Sequence, residues 1–365
     1  MNKKIAVSVV AAILGVTTIS GVAVYAKSRH TSKDLTNMQD FLLGKETDDL
    51  SGVDYDLNND GRWDVFDLCL MRKEISNNHI IPQELKEVPS EYYSAAQQQG
   101  ELVELYYDTW ENLSYEEHTE QLNKRAIVYL PYGYDENEQY NVFYLMHGGW
   151  GNETTTMGTP DRPGMFKNVI DNAIQNGEIK PLIIVSPTYN NTSSEDSASF
   201  SLAMQLNRTY YHELLNDLIP AVEGKYSSYA ASTSAEDLMA SRDHRGFGGF
   251  SMGSVATWRT FEHGLDYFHY FLPMSCGTSL DDTNIISAAE GRSQDEYFVW
   301  MMTGTSDFAY SYDNLRADTL RNSAYFTETA DEEGGNFVYR VKEGYSHDGR
   351  SSTEYTYNGL MWFWN

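Results

Sequence analysis

Gly249-Phe250-Ser251-Met252-Gly253 is a G-x-S-x-G pentapeptide set between an apolar, strand-like run and an apolar-periodic, helix-like one. A serine so placed sits on a strained strand-to-helix turn, and glycines two residues to either side let strand and helix pass without Cβ clashes. The turn lifts the hydroxyl clear of the sheet, and the amide of Met252 opens a helix whose N-terminus favours negative charge. Serine is a weak nucleophile near neutral pH. It needs a histidine to take its proton and a carboxylate to orient that histidine. The chemistry open to such a set is acyl transfer through a covalent intermediate.

Of the nine histidines, His347 alone follows the pentapeptide, follows a later acid-bearing strand end, and stands just past a strand-like run, NFVYRVKEG. His263 falls on the helix leaving the pentapeptide and His269 within an apolar strand, so both read as packing or surface residues. Asp307 directly follows the apolar YFVWMMTGTS and is the candidate acid; Asp313, six residues on, belongs to the next helix. Asp348 adjoins His347, and a sequence neighbour points the wrong way to orient its ring, so it reads as a surface or capping residue. The fourth part is His147-Gly148-Gly149-Trp150, after the strand-like NVFYLM. A backbone N–H there can join that of Met252 in an oxyanion hole. Gly149 is the first choice of donor and Trp150 the second; Trp150 is also a candidate substrate-binding residue.

A second constellation lies near the amino end. Asp56, Asn58, Asp60, Asp64 and Asp67, with the Arg62 carbonyl, occupy the ligand positions of an EF-hand-type loop, and Gly61 stands at its sharp turn. Calcium wants several hard oxygen donors around one point, and a loop of this register supplies them. The expected role is structural; the acyl-transfer chemistry itself needs no cofactor.

The elements that must position these residues alternate. From about residue 100, strand-like and helix-like segments follow one another, with uninterrupted apolar strands. That implies an α/β fold with a mostly parallel sheet covered by helices on both faces, and ligands at the carboxyl ends of the strands. Residues 1–26 carry Lys3 and Lys4, an apolar stretch and Val24-Tyr25-Ala26, the pattern of a cleaved export signal, with an uncleaved anchor as the alternative because the apolar stretch is near the length that spans a bilayer. The expected divisions are 1–26 signal peptide, 32–79 calcium-binding helical module, 80–99 polar linker, and 100–365 main domain. Lys and Arg total 26 against 53 Asp and Glu, a net charge of −27. Such acidity argues against nucleic acid and anionic membranes as partners and fits an exported protein. The two cysteines, Cys69 and Cys276, fall in different domains, so no disulfide framework is implied.

The loop 56–67 and the following Asp67-Leu68-Cys69-Leu70-Met71-Arg72-Lys73 resemble a dockerin, the calcium module that plugs cellulosomal enzymes into cohesins. Asp34-Leu35-Thr36-Asn37-Met38 is a faint first copy of that helix. Asp67, where signalling EF-hands carry a bidentate Glu, belongs to that resemblance; the chain departs from the dockerin pattern in lacking a first acidic loop. The resemblance implies a possible cohesin partner. Residues from about 100 onward resemble carbohydrate esterase family 1, the feruloyl and acetylxylan esterases of the α/β-hydrolase fold. The motifs are HGGWGNE, GFGGFSMGSVATWRTF, TGTSD, and GYSHDG before a final Trp-bearing helix. By that resemblance Ser251, Asp307 and His347 form the triad, and the substrate is an ester on plant cell-wall polysaccharide. A feruloyl group on xylan is expected first and an acetyl group second. A serine peptidase and a non-catalytic, scaffold-attached module are the more distant readings. The polar RSSTEYTYN between His347 and the final helix departs from the family and is expected to shape the rim of the cleft.

Overall fold

A computed structural model describes residues 32–45, 55–58, 60–78, 83–328 and 335–364. The expected export signal lies outside the described residues. The chain divides into two compact units, residues 1–78 and 79–365.

In the first unit, the helices Ser32–Leu42 and Val65–Asn78 pack through Met38 and Met71, with Tyr55 buried beside them. The acidic loop enters the second of these helices.

Among the described residues, the second unit is built on ten strands: β1 (Glu101–Trp110), β2 (Gln121–Leu130), β3 (Asn141–Met146), β4 (Gly158–Thr159), β5 (Arg162–Pro163), β6 (Leu182–Ser186), β7 (Arg245–Phe250), β8 (Tyr270–Met274), β9 (Phe298–Gly304) and β10 (Phe337–Lys342). Strands β4 and β5 form a small pair of their own, and the other eight make one sheet in the order β1-β2-β6-β3-β7-β8-β9-β10. The β1–β2 and β2–β6 pairings are antiparallel; every pairing from β6 through β10 is parallel.

Residue types account for this order. β3, β6 and β9 are buried along their whole length, as strands covered on both faces must be. Their side chains alternate between two cores: Tyr144 and Met146 join one cluster, Phe143 and Leu145 the other. Helix Met252–Gly264 and the helical run from Phe200 to Glu223 cover the first face. Helices Met165–Gln175 and Gly349–Trp362 cover the second. This is the α/β-hydrolase-type architecture read from the sequence.

Two expectations need correction. The stretch 80–99 is not a free linker: from residue 83 on it straps the second face of the sheet. Leu85, Val88 and Tyr92 are buried in that core. Lys86 exchanges two backbone hydrogen bonds of 2.8 Å with the Asn358 side chain, and Tyr92 packs edge-on against Tyr357. The polar RSSTEYTYN is not a loop at the cleft rim. It lies wholly within helix Gly349–Trp362, capped by the Asp348 carboxylate on the Ser351 N–H, with Ser351, Glu354, Tyr355 and Asn358 buried. Much of this polar run is hidden because Ser351, Thr356, Tyr357 and Asn358 find partners inside, Ser351 on the Ser346 carbonyl and Thr356 on that of Ser352.

Candidate active site

Ser251 stands between β7 and helix Met252–Gly264 with φ 62° and ψ −117°, a region costing a non-glycine residue about 1–3 kcal/mol. The surroundings hold it there. Its N–H donates to the Met274 carbonyl at the end of β8 (2.9 Å), and the helix crosses β3 so closely that a Cβ on Gly253 would lie 2.4 Å from the Met146 carbonyl oxygen. A Cβ on Gly249 would meet the Gly253 backbone at 2.6 Å. Both glycines of the pentapeptide are therefore set by packing, as its sequence implies.

Asp307 follows β9 and His347 follows β10, neighbouring parallel strands, so both emerge at the same edge of the sheet. The His347 loop is laced onto the end of β9: Thr305 N–H donates to the Lys342 carbonyl and Ser306 N–H to that of Tyr345, each at 3.0 Å. Gly304 permits this approach, since a Cβ there would sit 2.2 Å from the Tyr345 carbonyl oxygen. His347 Nδ1 then lies 2.9 and 3.0 Å from the two Asp307 carboxylate oxygens. Burial alone would raise the Asp307 pKa, but hydrogen bonds from His347 and the Ala309 N–H outweigh it and hold the carboxyl below the usual aspartate value. Asp307 is thus a carboxylate at neutral pH, and Nδ1 carries the proton it accepts, leaving Nε2 free to take another. The imidazole is clasped between Phe250 and Phe308, ring centroids 4.5 and 4.2 Å away. Ser251 Oγ makes no hydrogen bond among the described residues; such contacts commonly tighten only when substrate is bound.

The rejected candidates lie elsewhere. Asp313 is buried, accepts from the Cys276 N–H at 3.1 Å and lies 3.6 Å from the Arg316 guanidinium. Desolvation raises its pKa to about 8 against the pull of that guanidinium. His263 stacks on Tyr211, and His269 sits 3.2 Å from Asp243. Cys276 is buried, and burial pushes its thiol pKa up, which suits packing and not nucleophilic attack.

The oxyanion-hole candidates have a physical basis. His147 is buried and its pKa falls to about 4 by desolvation, so the ring is neutral at pH 7. Its Nδ1 lies 2.7 Å from the Gly148 carbonyl, to which it must donate, and Nε2 lies 2.7 Å from Thr188 Oγ1. Tyr189 adds a longer hydroxyl bond to the same carbonyl (3.3 Å). The Gly148 C=O and the Gly149 N–H share one trans peptide plane and point opposite ways. Holding the carbonyl against His147 therefore turns the Gly149 N–H outward. Neither Gly149 nor Met252 spends its N–H on a protein acceptor among the described residues. Trp150 does, donating to the Ser197 carbonyl at 3.0 Å, so it serves as wall and not as donor.

Ser251, Gly149 and Met252 line a cleft of about 170 Å³ whose other walls include Trp150, Phe200, Val255 and Phe308. Trp150, Phe200 and Phe308 expose large aromatic surfaces at its mouth. Sequence reasoning missed Phe200 and Phe308. Phe308 had a signal, as the neighbour of the candidate acid; Phe200 had none, since a helix start far from every motif brings it there.

In the first unit, Asp56 accepts from the Asp60 and Gly61 N–H groups, and Asp67 from those of Leu57, Asn58 and Asp64. Gly61 takes φ +82° at the turn. The donors are hard oxygens of the kind calcium takes. Among the described residues, however, no three His, Cys, Asp or Glu side chains converge on one point.

A strained serine on a strand-to-helix turn, an aspartate-oriented histidine, and two unspent N–H groups on a parallel sheet define a serine hydrolase of α/β-hydrolase type. Residues 120–349 match the Esterase family, described as "Putative esterase", and the chain belongs to that family of carboxylic ester hydrolases. It is 38% identical over 285 residues to the endo-1,4-beta-xylanase Y of Acetivibrio thermocellus, which covers 76% of this chain and 24% of that protein. The chain thus spans about a quarter of the length of this curated relative. Among solved structures it resembles a serine-to-alanine mutant of the feruloyl esterase module from Clostridium thermocellum complexed with sinapinate. That match has a TM-score of 0.66 and 37% identity, covering 77% of this chain and 94% of that one. A ferulic acid esterase from Anaeromyces mucronatus, at 18% identity and TM-score 0.54 over 76% of this chain and 97% of that one, shares the fold.

Proposed function

We propose that this chain removes feruloyl and related hydroxycinnamoyl groups from plant cell-wall xylan through a Ser251-His347-Asp307 triad. Ser251 attacks the ester carbonyl while His347 Nε2 takes its proton and then delivers it to the departing sugar hydroxyl. Asp307 holds the tautomer and stabilises the imidazolium. The Gly149 and Met252 amides receive the oxyanion, and water, activated by His347, releases the acid from the acyl-enzyme. The observation that carries this reading is the apolar, aromatic-mouthed cleft directly over Ser251, which suits an aryl acyl group. The chain's likeness to a feruloyl esterase module complexed with sinapinate supports the same class of acid.

An acetylxylan esterase with the same machinery is the second reading. The test is release of ferulate from methyl ferulate beside release of acetate from acetylated xylan, by wild type and Ser251→Ala. Ferulate release that vanishes in the mutant is expected; acetate alone moves the substrate to the second reading, and full activity in Ser251→Ala refutes the mechanism.

The acidic loop is proposed to bind calcium through Asp56, Asn58, Asp60, Asp64, Asp67 and the Arg62 carbonyl. Its role is to order the first unit, with a cohesin as candidate partner. Calcium should protect the loop from proteolysis in wild type and not in Asp60→Ala; equal protection of both would refute the site. Export is proposed from the basic-then-apolar first 26 residues. No helix among the described residues is long and apolar enough to cross a membrane.

A further inference from the structure

We propose that a second, polar cleft on the same edge of the sheet binds the neutral, hydroxyl-rich sugar chain that carries the ester. The inference rests on the esterase reading of the Ser251 site and extends it to the other half of the substrate. The cleft holds about 260 Å³ and is formed by the start of β2, the loop after β3 and the loop after β6. It therefore opens beside the carboxyl ends of β3 and β6, as the Ser251 cleft opens at those of β3, β7, β8 and β9.

One loop forms a wall common to both. Trp150 faces the Ser251 cleft and Asn152, two residues on, faces the polar one. The segment between is pinned: the Gly151 carbonyl accepts from Asn190 Nδ2 (3.0 Å) and Ser197 Oγ (2.7 Å). The two clefts are thus rigidly spaced across a short stretch of backbone, the arrangement an acyl-sugar ester with its two halves on either side would need.

The chemistry of the lining points to a neutral ligand. Lys124 is buried and paired with Glu213 at 2.7 Å; Arg125 is paired with Glu104 at 2.7 Å and Glu153 at 2.6 Å. No cation there is left over to hold an anion, and the polar walls do not suit an aryl group. Asn190 supplies the specific signal. It is 3% exposed, its Nδ2 is spent on Gly151, and its Oδ1 is buried with no donor. A buried amide oxygen left unpaired is costly, and Asn190 is one of the residues lining this cleft, so in the proposal a turn of its side chain on ligand binding gives that oxygen a sugar hydroxyl as donor. Thr192 and Ser193 add exposed hydroxyls at the rim. Sugars are recognised through such sets of amides and hydroxyls, each donating or accepting one bond.

The experiment uses the full chain in two measurements. Binding of an unesterified arabinoxylo-oligosaccharide is followed by calorimetry in wild type, Asn190→Ala and Thr192→Trp. Turnover is compared as the ratio of kcat/KM on a feruloylated arabinoxylo-oligosaccharide to that on methyl ferulate. Asn190→Ala removes the acceptor but also the Gly151 contact. Thr192→Trp fills the cleft from its exposed rim and spares the Thr192 N–H bond to Asp196. Both variants should weaken oligosaccharide binding at least tenfold and lower the turnover ratio about tenfold. Wild type that binds no oligosaccharide at millimolar concentration, or Thr192→Trp that binds and discriminates like wild type, overturns the proposal. Should the chain bind the oligosaccharide through this cleft yet turn over neither ester, the sugar site stands and the esterase reading alone falls.

Discussion

Gly253→Ala against Gly149→Ala tests whether backbone packing, and not side-chain chemistry, builds the site. A Cβ at residue 253 would lie 2.4 Å from the Met146 carbonyl oxygen and 2.9 Å from that of His147, both main-chain atoms that no rotamer change can move. Ordinary contact begins near 3.4 Å, so the helix behind Ser251 must back away from β3 by about 1 Å. Overpacking of this kind costs about 1–3 kcal/mol, which in a unit of this size lowers Tm by on the order of 5 °C. The larger effect falls on rate. The same helix carries the Met252 amide and the strained Ser251, and a misplacement of about 1 Å can cost on the order of 100-fold. At residue 149 an added Cβ meets only the Ser197 carbonyl oxygen at 3.6 Å, ordinary contact, and leaves the N–H in place. Kinetics on methyl ferulate with thermal unfolding of both variants gives the comparison. Gly253→Ala should lose about 100-fold in kcat/KM and Gly149→Ala no more than a few-fold. A Gly149→Ala enzyme as damaged as Gly253→Ala would refute the assignment of a backbone donor at 149, and an undamaged Gly253→Ala would refute the packing argument.

Asp307→Asn keeps the shape of the site but leaves His347 without a carboxylate to orient its tautomer and stabilise its charge, so kcat should fall by about 10⁴ with KM little changed; steady-state kinetics showing less than a tenfold loss would remove Asp307 from the triad. The depressed pKa of buried His147, about 4 against an unfolded value near 6.5, means that only the unfolded chain takes up this proton between those pH values. Stability contributed by His147 is therefore whole above pH 6.5 and is lost as pH falls toward 4, by up to about 3 kcal/mol. Denaturant melts across that window should show the decline in wild type and a shallower one in His147→Gln; parallel declines would mean that His147 is not the group responsible. Phe200→Ala removes an aromatic wall of the Ser251 cleft without touching Ser251, His347 or Asp307, and should raise KM for methyl ferulate by about tenfold, roughly 1.4 kcal/mol, while sparing acetyl esters. Equal effects on aryl and acetyl substrates would show that Phe200 is no part of the acyl site.

Local sequence determined much of this protein. The pentapeptide 249–253 announces its turn because only glycine fits where helix and strand backbones nearly touch. The uninterrupted apolar runs of β3, β6 and β9 announce a sheet covered on both faces, and the order of serine, acid and histidine along the chain follows from which strand ends precede them. What sequence could not decide depends on partners far away along the chain. Residues 83–99 look like a polar linker until Lys86 meets Asn358, 272 positions away, and Tyr92 meets Tyr357. RSSTEYTYN looks like a solvated loop because nothing local reveals that Ser351, Glu354 and Asn358 will find hydrogen-bond partners inside. Phe200 and Asn190 carry no motif at all; the crossing of helix and loop over the carboxyl edge of the sheet alone brings one to the Ser251 cleft and the other to the polar cleft beside it. Backbone geometry is written in short-range residue types, whereas the linings of clefts are assembled by tertiary packing from segments with no common local pattern.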